Sequence, residues 1–206
     1  RTVYRETAVR QKSIPAALLG RELAHFGASP NYMLNCGLGT FLMPVCALLI
    51  LWKGGEFLST VETLLDGLEG GVPVMLSICL CGVASMNDMT APSVSLEGKS
   101  LWLMQSLPVT PWQVLKAKLS TQIILTAVPM ALCIVCAAAV YPFLPVQLLM
   151  MTLLVMSYVV LMALFGLFLG VKNPILTWTN EISPIKQSAP VMIALFGSFG
   201  SVSYTH

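Results

Sequence analysis

The string Glu97-Gly98-Lys99-Ser100 is where this sequence comes nearest to a ligand-binding motif, because nucleotide-binding phosphate loops end in Gly-Lys-Ser or Gly-Lys-Thr. Such a loop also needs a glycine five residues ahead of its second one, where this chain has Ser93, and it joins a strand to a helix. Neither condition is met, so ATP binding by this chain is not expected. Cys133 and Cys136 have the spacing of a metal or redox pair, but no second ligand pair, nearby histidine or polar loop accompanies them. All six cysteines (Cys36, Cys46, Cys79, Cys81, Cys133, Cys136) fall in apolar runs, where cysteine is a small packing residue. A metalloprotease needs paired histidines on a helix, whereas the two here are His25 and His206. Intramembrane proteolysis needs a buried serine with a base, or two aspartates, and the three long apolar runs hold no ionisable residue. Their hydroxyls, such as Thr40, Ser120, Thr126 and Ser157, read as backbone-bonding and packing groups, as does Ser77 in a shorter run. No catalytic residue, metal or cofactor is expected.

The elements that carry these residues follow from composition. Of 206 residues 56% are hydrophobic and 10% charged, with mean hydropathy +0.82. Soluble domains carry about 25% charged residues. An ordinary soluble fold is excluded, and a polytopic transmembrane helical bundle, all-α, is expected. Net charge is only +2, with no basic stripe, which argues against a nucleic-acid partner. A helix needs roughly 20 apolar residues to cross a bilayer. By that measure 33–52, 119–141 and 144–170 are complete spans, 70–86 is a shorter fourth that could gain length from its flanks, and 189–204 begins a fifth. The chain opens at Arg1 without Met and stops inside an apolar run, the pattern expected of a piece of a longer protein.

Basic residues assign the sides. Arg1, Arg5, Arg10, Lys12 and Arg21 precede the first span, Lys99, Lys116 and Lys118 lie in the connection 87–118, and Lys172 and Lys186 lie in the connection 171–188. That puts ten of eleven in one compartment, and positively charged loops stay in the cytoplasm, so the N-terminal end is expected there. The first connection sets only Lys53 against Glu56, Glu62, Asp66 and Glu69. Residues 1–32 form a cytoplasmic N-terminal segment, ahead of a transmembrane domain over 33–206. Within it Pro15 opens a helix with Leu19, Leu23 and Phe26 on one face and Arg21, Glu22 and His25 off it, until Ser29-Pro30 breaks it. This reads as an amphipathic helix lying flat on the membrane; a solvated lead-in is the alternative. In the second connection an apolar patch ends at Pro108, and Thr110-Pro111-Trp112-Gln113 predicts a capped helix running from Pro111 into the third span. Gly166 and Gly170 are spaced for close helix approach, and Pro44 and Pro129 for kinks. With no ionisable residue in the complete spans, any transport would draw its energy from outside the membrane, through the cytoplasmic segments.

Three strings carry a resemblance. Thr90-Ala-Pro-Ser-Val-Ser-Leu-Glu-Gly-Lys-Ser-Leu-Trp-Leu-Met-Gln-Ser-Leu-Pro-Val-Thr-Pro-Trp-Gln-Val-Leu-Lys-Ala-Lys118 resembles the first cytoplasmic loop of bacterial ATP-binding cassette (ABC) exporter permeases of the type-2 class. Arg21-Glu-Leu with Ser29-Pro-Asn-Tyr-Met-Leu-Asn35 is similar to the segment leading into a membrane half of that family. Lys172-Asn-Pro-Ile-Leu-Thr-Trp-Thr-Asn-Glu-Ile-Ser-Pro-Ile-Lys-Gln187 is similar to its later cytoplasmic connection. The resemblance implies a multi-pass subunit of the bacterial inner (plasma) membrane, without ATPase activity, whose coupling-type helices receive a separate ABC ATPase subunit. It places Glu97, Gly98, Lys99, Leu101, Trp102, Leu107 and Pro108 in the ATPase-coupling loop, and Trp178, Asn180, Glu181 and Lys186 in a second cytoplasmic loop. It further implies a second permease half, or a homodimer partner, besides membrane lipid. On the bland reading Glu97 and Lys99 are solvated loop charges and the patch rests on lipid headgroups. The alternative function is a non-transporting scaffold or sensor subunit that binds a cytoplasmic partner.

Overall fold

The structure, a computed structural model, describes residues 13–65, 70–98, 102, 106–174 and 176. Among them the chain forms seven helices and no strand: α1 (Ile14–Ala28), α2 (Pro30–Cys36), α3 (Leu38–Leu64), α4 (Gly71–Ala84), α5 (Thr90–Leu96), α6 (Pro111–Val140) and α7 (Pro145–Lys172). The expected fifth span, 189–204, lies outside the described residues, as do 1–12 and 66–69.

Local chemistry sets the boundaries. Pro15 occupies the first turn of α1, and Ser29, in extended conformation, ends it and starts α2 by accepting the Tyr32 N–H at 3.3 Å. Thr110 and Gln113 form the predicted capping box of α6: Thr110 Oγ1 accepts the Gln113 N–H at 3.4 Å and Gln113 Oε1 accepts the Thr110 N–H at 3.0 Å. Thr110→Ala is expected to cost about 0.5–2 kcal/mol, read as a lower melting temperature of the lipid-reconstituted protein. α3 and α6 continue as helices through Pro44 and Pro129.

Three helices, α3, α6 and α7, are long and apolar enough to cross a membrane. At 1.5 Å per residue their 27, 30 and 28 residues reach about 40–45 Å, beyond a hydrocarbon core of about 30 Å. The expected span 33–52 is not one helix: Gly37 breaks it, leaving 33–36 in α2, and α3 starts at Leu38 and outruns the far end because charge does not end a helix. It carries Lys53, Glu56 and Glu62 past Trp52 as far as Leu64. The fourth run behaves differently from expectation. α4 has 14 residues, about 21 Å, and draws in neither flank. Gly70, at φ 83°, turns the chain before it, a conformation that suits glycine, and beyond Ser85 the chain leaves the helix and starts α5.

The interior is built from small and flexible side chains. Met151, Val155, Val159 and Ala163 recur every fourth residue along α7 and face Met43 and Ala47 of α3, Leu76 and Leu80 of α4, and Met130, Cys133 and Ala137 of α6. Large apolar residues such as Phe41, Leu48, Trp52, Leu153, Leu161 and Phe168 point outward. In water such a surface could not persist; in lipid it is the favoured one. One end of the bundle gathers the starts of α3 and α6, the ends of α4 and α7, and α1, α2 and α5. At the other end Gly54 meets Val140, and Gly70 lies near Gln147.

Candidate functional site

The site assembles on one stripe of α6. Lys118, Gln122 and Thr126 follow at i, i+4 and i+8, so they share a face, and all three are buried. That face receives α1 and the connection 85–97. Lys118 Nζ, on a side chain only 2% exposed, donates to Glu22 Oε2 at 3.1 Å and to the Ser93 carbonyl at 3.2 Å, and forms an ion pair with Glu97 Oε1 at 3.1 Å. Glu97 Oε1 also accepts from Arg21 Nη1 at 3.3 Å, and Arg21 stands 3.9 Å from Glu22. Among the described residues, two cations and two carboxylates thus form a joint between α1, the end of α5 and α6. Burying any one charge alone would be prohibitive, so the four gather.

One and two turns along α6 an uncharged network ties down the α4–α5 connection. Gln122 Nε2 donates to the Asn87 carbonyl at 3.0 Å, and its Oε1 accepts the Thr90 N–H at 2.7 Å. Asn87 Nδ2 donates to Thr126 Oγ1 at 3.2 Å while its Oδ1 accepts the Thr40 N–H at 2.9 Å. Tyr32 OH donates to the Met89 carbonyl at 2.6 Å, and Thr90 Oγ1 to the Ala163 carbonyl at 3.0 Å. Non-helical backbone away from water needs these partners. Gln122→Leu leaves the Thr90 N–H and the Asn87 carbonyl without theirs and is expected to cost about 1–3 kcal/mol each, read as a fall in melting temperature.

The residues singled out from sequence divide in four. Glu97 is buried inside the ion cluster, which overturns its reading as a solvated loop charge. Trp102 at 69% exposure, Leu107 at 42% and the exposed Pro108 remain at the surface. Gly98 lies against the backbone of Leu176, so a Cβ there would strike it, and the two connections flagged by sequence meet at that point. Lys99, Leu101, Trp178, Asn180, Glu181 and Lys186 lie outside the described residues. α1 requires a correction. Glu22, expected off the contact face with Arg21, turns inward to Lys118, while Leu18 rather than Leu19 joins Phe26 in burial. Pairing with a buried cation outweighs the apolar periodicity that assigned the face.

Sequence reasoning passed over Asn87, Asp88, Gln122 and Tyr32 as site residues. A readable signal existed for three of them: a polar i, i+4, i+8 stripe entering an apolar helix for Gln122, and an Asn-Asp pair directly after an apolar run for Asn87 and Asp88. Chemically the cluster holds parts together. No group of three metal-ligating side chains occurs among the described residues. A cavity of about 200 Å³ between α3 and α4, floored by Cys133 and lined by Met43, Cys46, Ile50, Leu76 and Leu80, is almost wholly apolar and suits only apolar matter. No protein-family model matches the chain, and no curated protein or solved structure matches it.

Proposed function

We propose that this chain is the membrane subunit of an ATP-driven exporter of the ABC type-2 class, with ATP hydrolysed by a separate subunit bound to its cytoplasmic loops. The observation that carries this reading is the buried joint of Arg21, Glu22, Glu97 and Lys118. It anchors the head of the loop 97–108 to a membrane-crossing helix, so a push on that loop passes into α6 instead of being lost in a flexible connection. The exposed Trp102 and Leu107 supply apolar surface for a partner beside that anchor. The resemblance of residues 90–118 to the coupling loop of such permeases supports the same assignment. The bias of Lys and Arg supports a cytoplasmic side for this end, and the resemblance supports the bacterial plasma membrane. A second permease half or a second copy completes the pathway.

The test is recovery of the ATPase encoded beside the gene with the full-length protein, and the stimulation of ATP hydrolysis by that protein. Trp102→Glu with Leu107→Glu is expected to lower ATPase recovery about tenfold or more without shifting the melting temperature, since both side chains are exposed. Glu97→Gln is expected to retain the ATPase but weaken the stimulation. Undiminished recovery with the double variant, or absence of an associated ATPase, overturns the proposal.

A further inference from the structure

The connection between α4 and α5 carries a carboxylate that neither the ion cluster nor the proposed coupling uses. Asp88 is half-buried, and its backbone N–H donates to the Cys36 carbonyl at 3.0 Å. Its carboxylate accepts the Ala91 N–H and lies so close to α7 that a Cβ added at Gly166 would stand 2.7 Å from Oδ1. The acid therefore sits in the seam where α5 meets α7, a seam formed by backbone contact with Gly166 and Gly170.

The surrounding charges leave this acid unmatched. From α2 it faces the Tyr32 phenol and the Cys36 thiol and from α7 the bare Gly166, while from α3 the Thr40 N–H bonds the neighbouring Asn87. α6 presents Gln122 and Thr126, both bonded to Asn87, and nearer the polar end Lys118, which donates to Glu22 and the Ser93 carbonyl and pairs with Glu97. α1 contributes Arg21 and Glu22, and α5 runs into Glu97; these four groups sum to zero. Lys116 and Lys172 stand over the Trp112 and Phe168 rings, 5.5 and 5.8 Å from their centroids. Among the described residues, no cation is paired with Asp88 to balance its charge. Burial accordingly pushes its pKa up to about 6, against the opposing pull of the Ala91 N–H.

We propose that Asp88 is a proton-binding site whose protonation state sets how tightly the α5 segment seats on the Gly166–Gly170 face of α7. In the neutral form the carboxyl fits an apolar glycine surface at no electrostatic penalty. Loss of the proton to water leaves a carboxylate in that seam without a cation, and hydration of the charge then favours a loosened α5. This site is independent of the exporter reading: it requires no partner ATPase and no cargo.

The test uses the full-length protein in lipid nanodiscs. Amide hydrogen exchange over residues 90–96, corrected for the intrinsic pH dependence of exchange, is expected to rise as pH crosses about 6. The infrared band of a protonated carboxyl is expected to disappear over the same range. Asp88→Asn, a neutral isostere, is expected to lack that band and to keep α5 protected on both sides of the midpoint. The same pH profile in wild type and Asp88→Asn overturns the proposal. So does a wild-type protein whose α5 exchange and carboxyl band are unchanged between pH 5 and 7, a readout that stands even where the variant fails to fold.

Discussion

Lys118→Met is expected to destabilise the bundle by about 3–5 kcal/mol, because it strands two buried carboxylates. The Glu22 and Glu97 side chains are 10% and 9% exposed, and each loses its contact with Nζ at 3.1 Å. Arg21, 36% exposed and 3.3 Å from Glu97, compensates in part and holds the effect toward the lower figure. The Ser93 carbonyl also loses a donor. Adding Glu22→Leu and Glu97→Leu to Lys118→Met is expected to restore much of the lost stability, since an apolar replacement of a buried ion group is often neutral or better. That recovery, measured as melting temperature in lipid nanodiscs, separates the cost of unpaired charge from lost volume. Lys116→Met is the control: that side chain is exposed over Trp112 and should change stability by no more than about 0.5 kcal/mol. A Lys118→Met protein as stable as the control would show that the four charges are not held together in the membrane.

The second large effect is expected at the α5–α7 seam. A Cβ at Gly170 would run into the carbonyl oxygen of Ala91, with the carbonyl carbon at 3.2 Å. Backbone cannot rotate aside as a side chain can, so Gly170→Leu must push α5 away from α7, at a cost of about 1–3 kcal/mol or more. Gly166→Ala meets Thr90 Oγ1 at 2.6 Å and Asp88 Oδ1 at 2.7 Å, side-chain atoms that can shift only by giving up their bonds to the Ala163 carbonyl and the Ala91 N–H, and is expected to loosen the same seam. Gly82 has open space around its Cα, and Gly82→Ala is expected to be neutral or stabilising by up to about 1 kcal/mol through helix propensity alone. Hydrogen exchange over residues 90–96 checks the ranking: faster exchange for Gly170→Leu, an unchanged rate for Gly82→Ala. Equal protection in both would remove the seam as the reason for glycine at 170.

Much of the architecture was legible in the residues. The apolar runs marked three membrane-length helices, Thr110-Pro111-Trp112-Gln113 marked the start of α6, Ser29-Pro30 marked the α1–α2 break, and the Gly166/Gly170 spacing marked a close approach. The identity of the element in that approach was not legible. It is the short α5, packed on α7, rather than another span. Nor could α4 be bounded from hydropathy, because the groups that let the chain leave the helix at Ser85 are the side chains of Tyr32, Gln122 and Thr126 and the backbone N–H of Thr40, all distant in sequence.

What the sequence determined by itself is the solvent. Hydropathy and charge segregation act one residue at a time, and 56% apolar against 10% charged residues leaves no aqueous fold. What the tertiary structure alone decided is the partner of each charge. Glu22 and Glu97 are 75 residues apart in the chain, and both read as loop or surface charges until α6 brings Lys118 between them. Pairing depends on distance in space, and burial raises its strength by lowering the dielectric around it, so only the folded bundle could turn two scattered acids into one joint and leave Asp88 as the acid over.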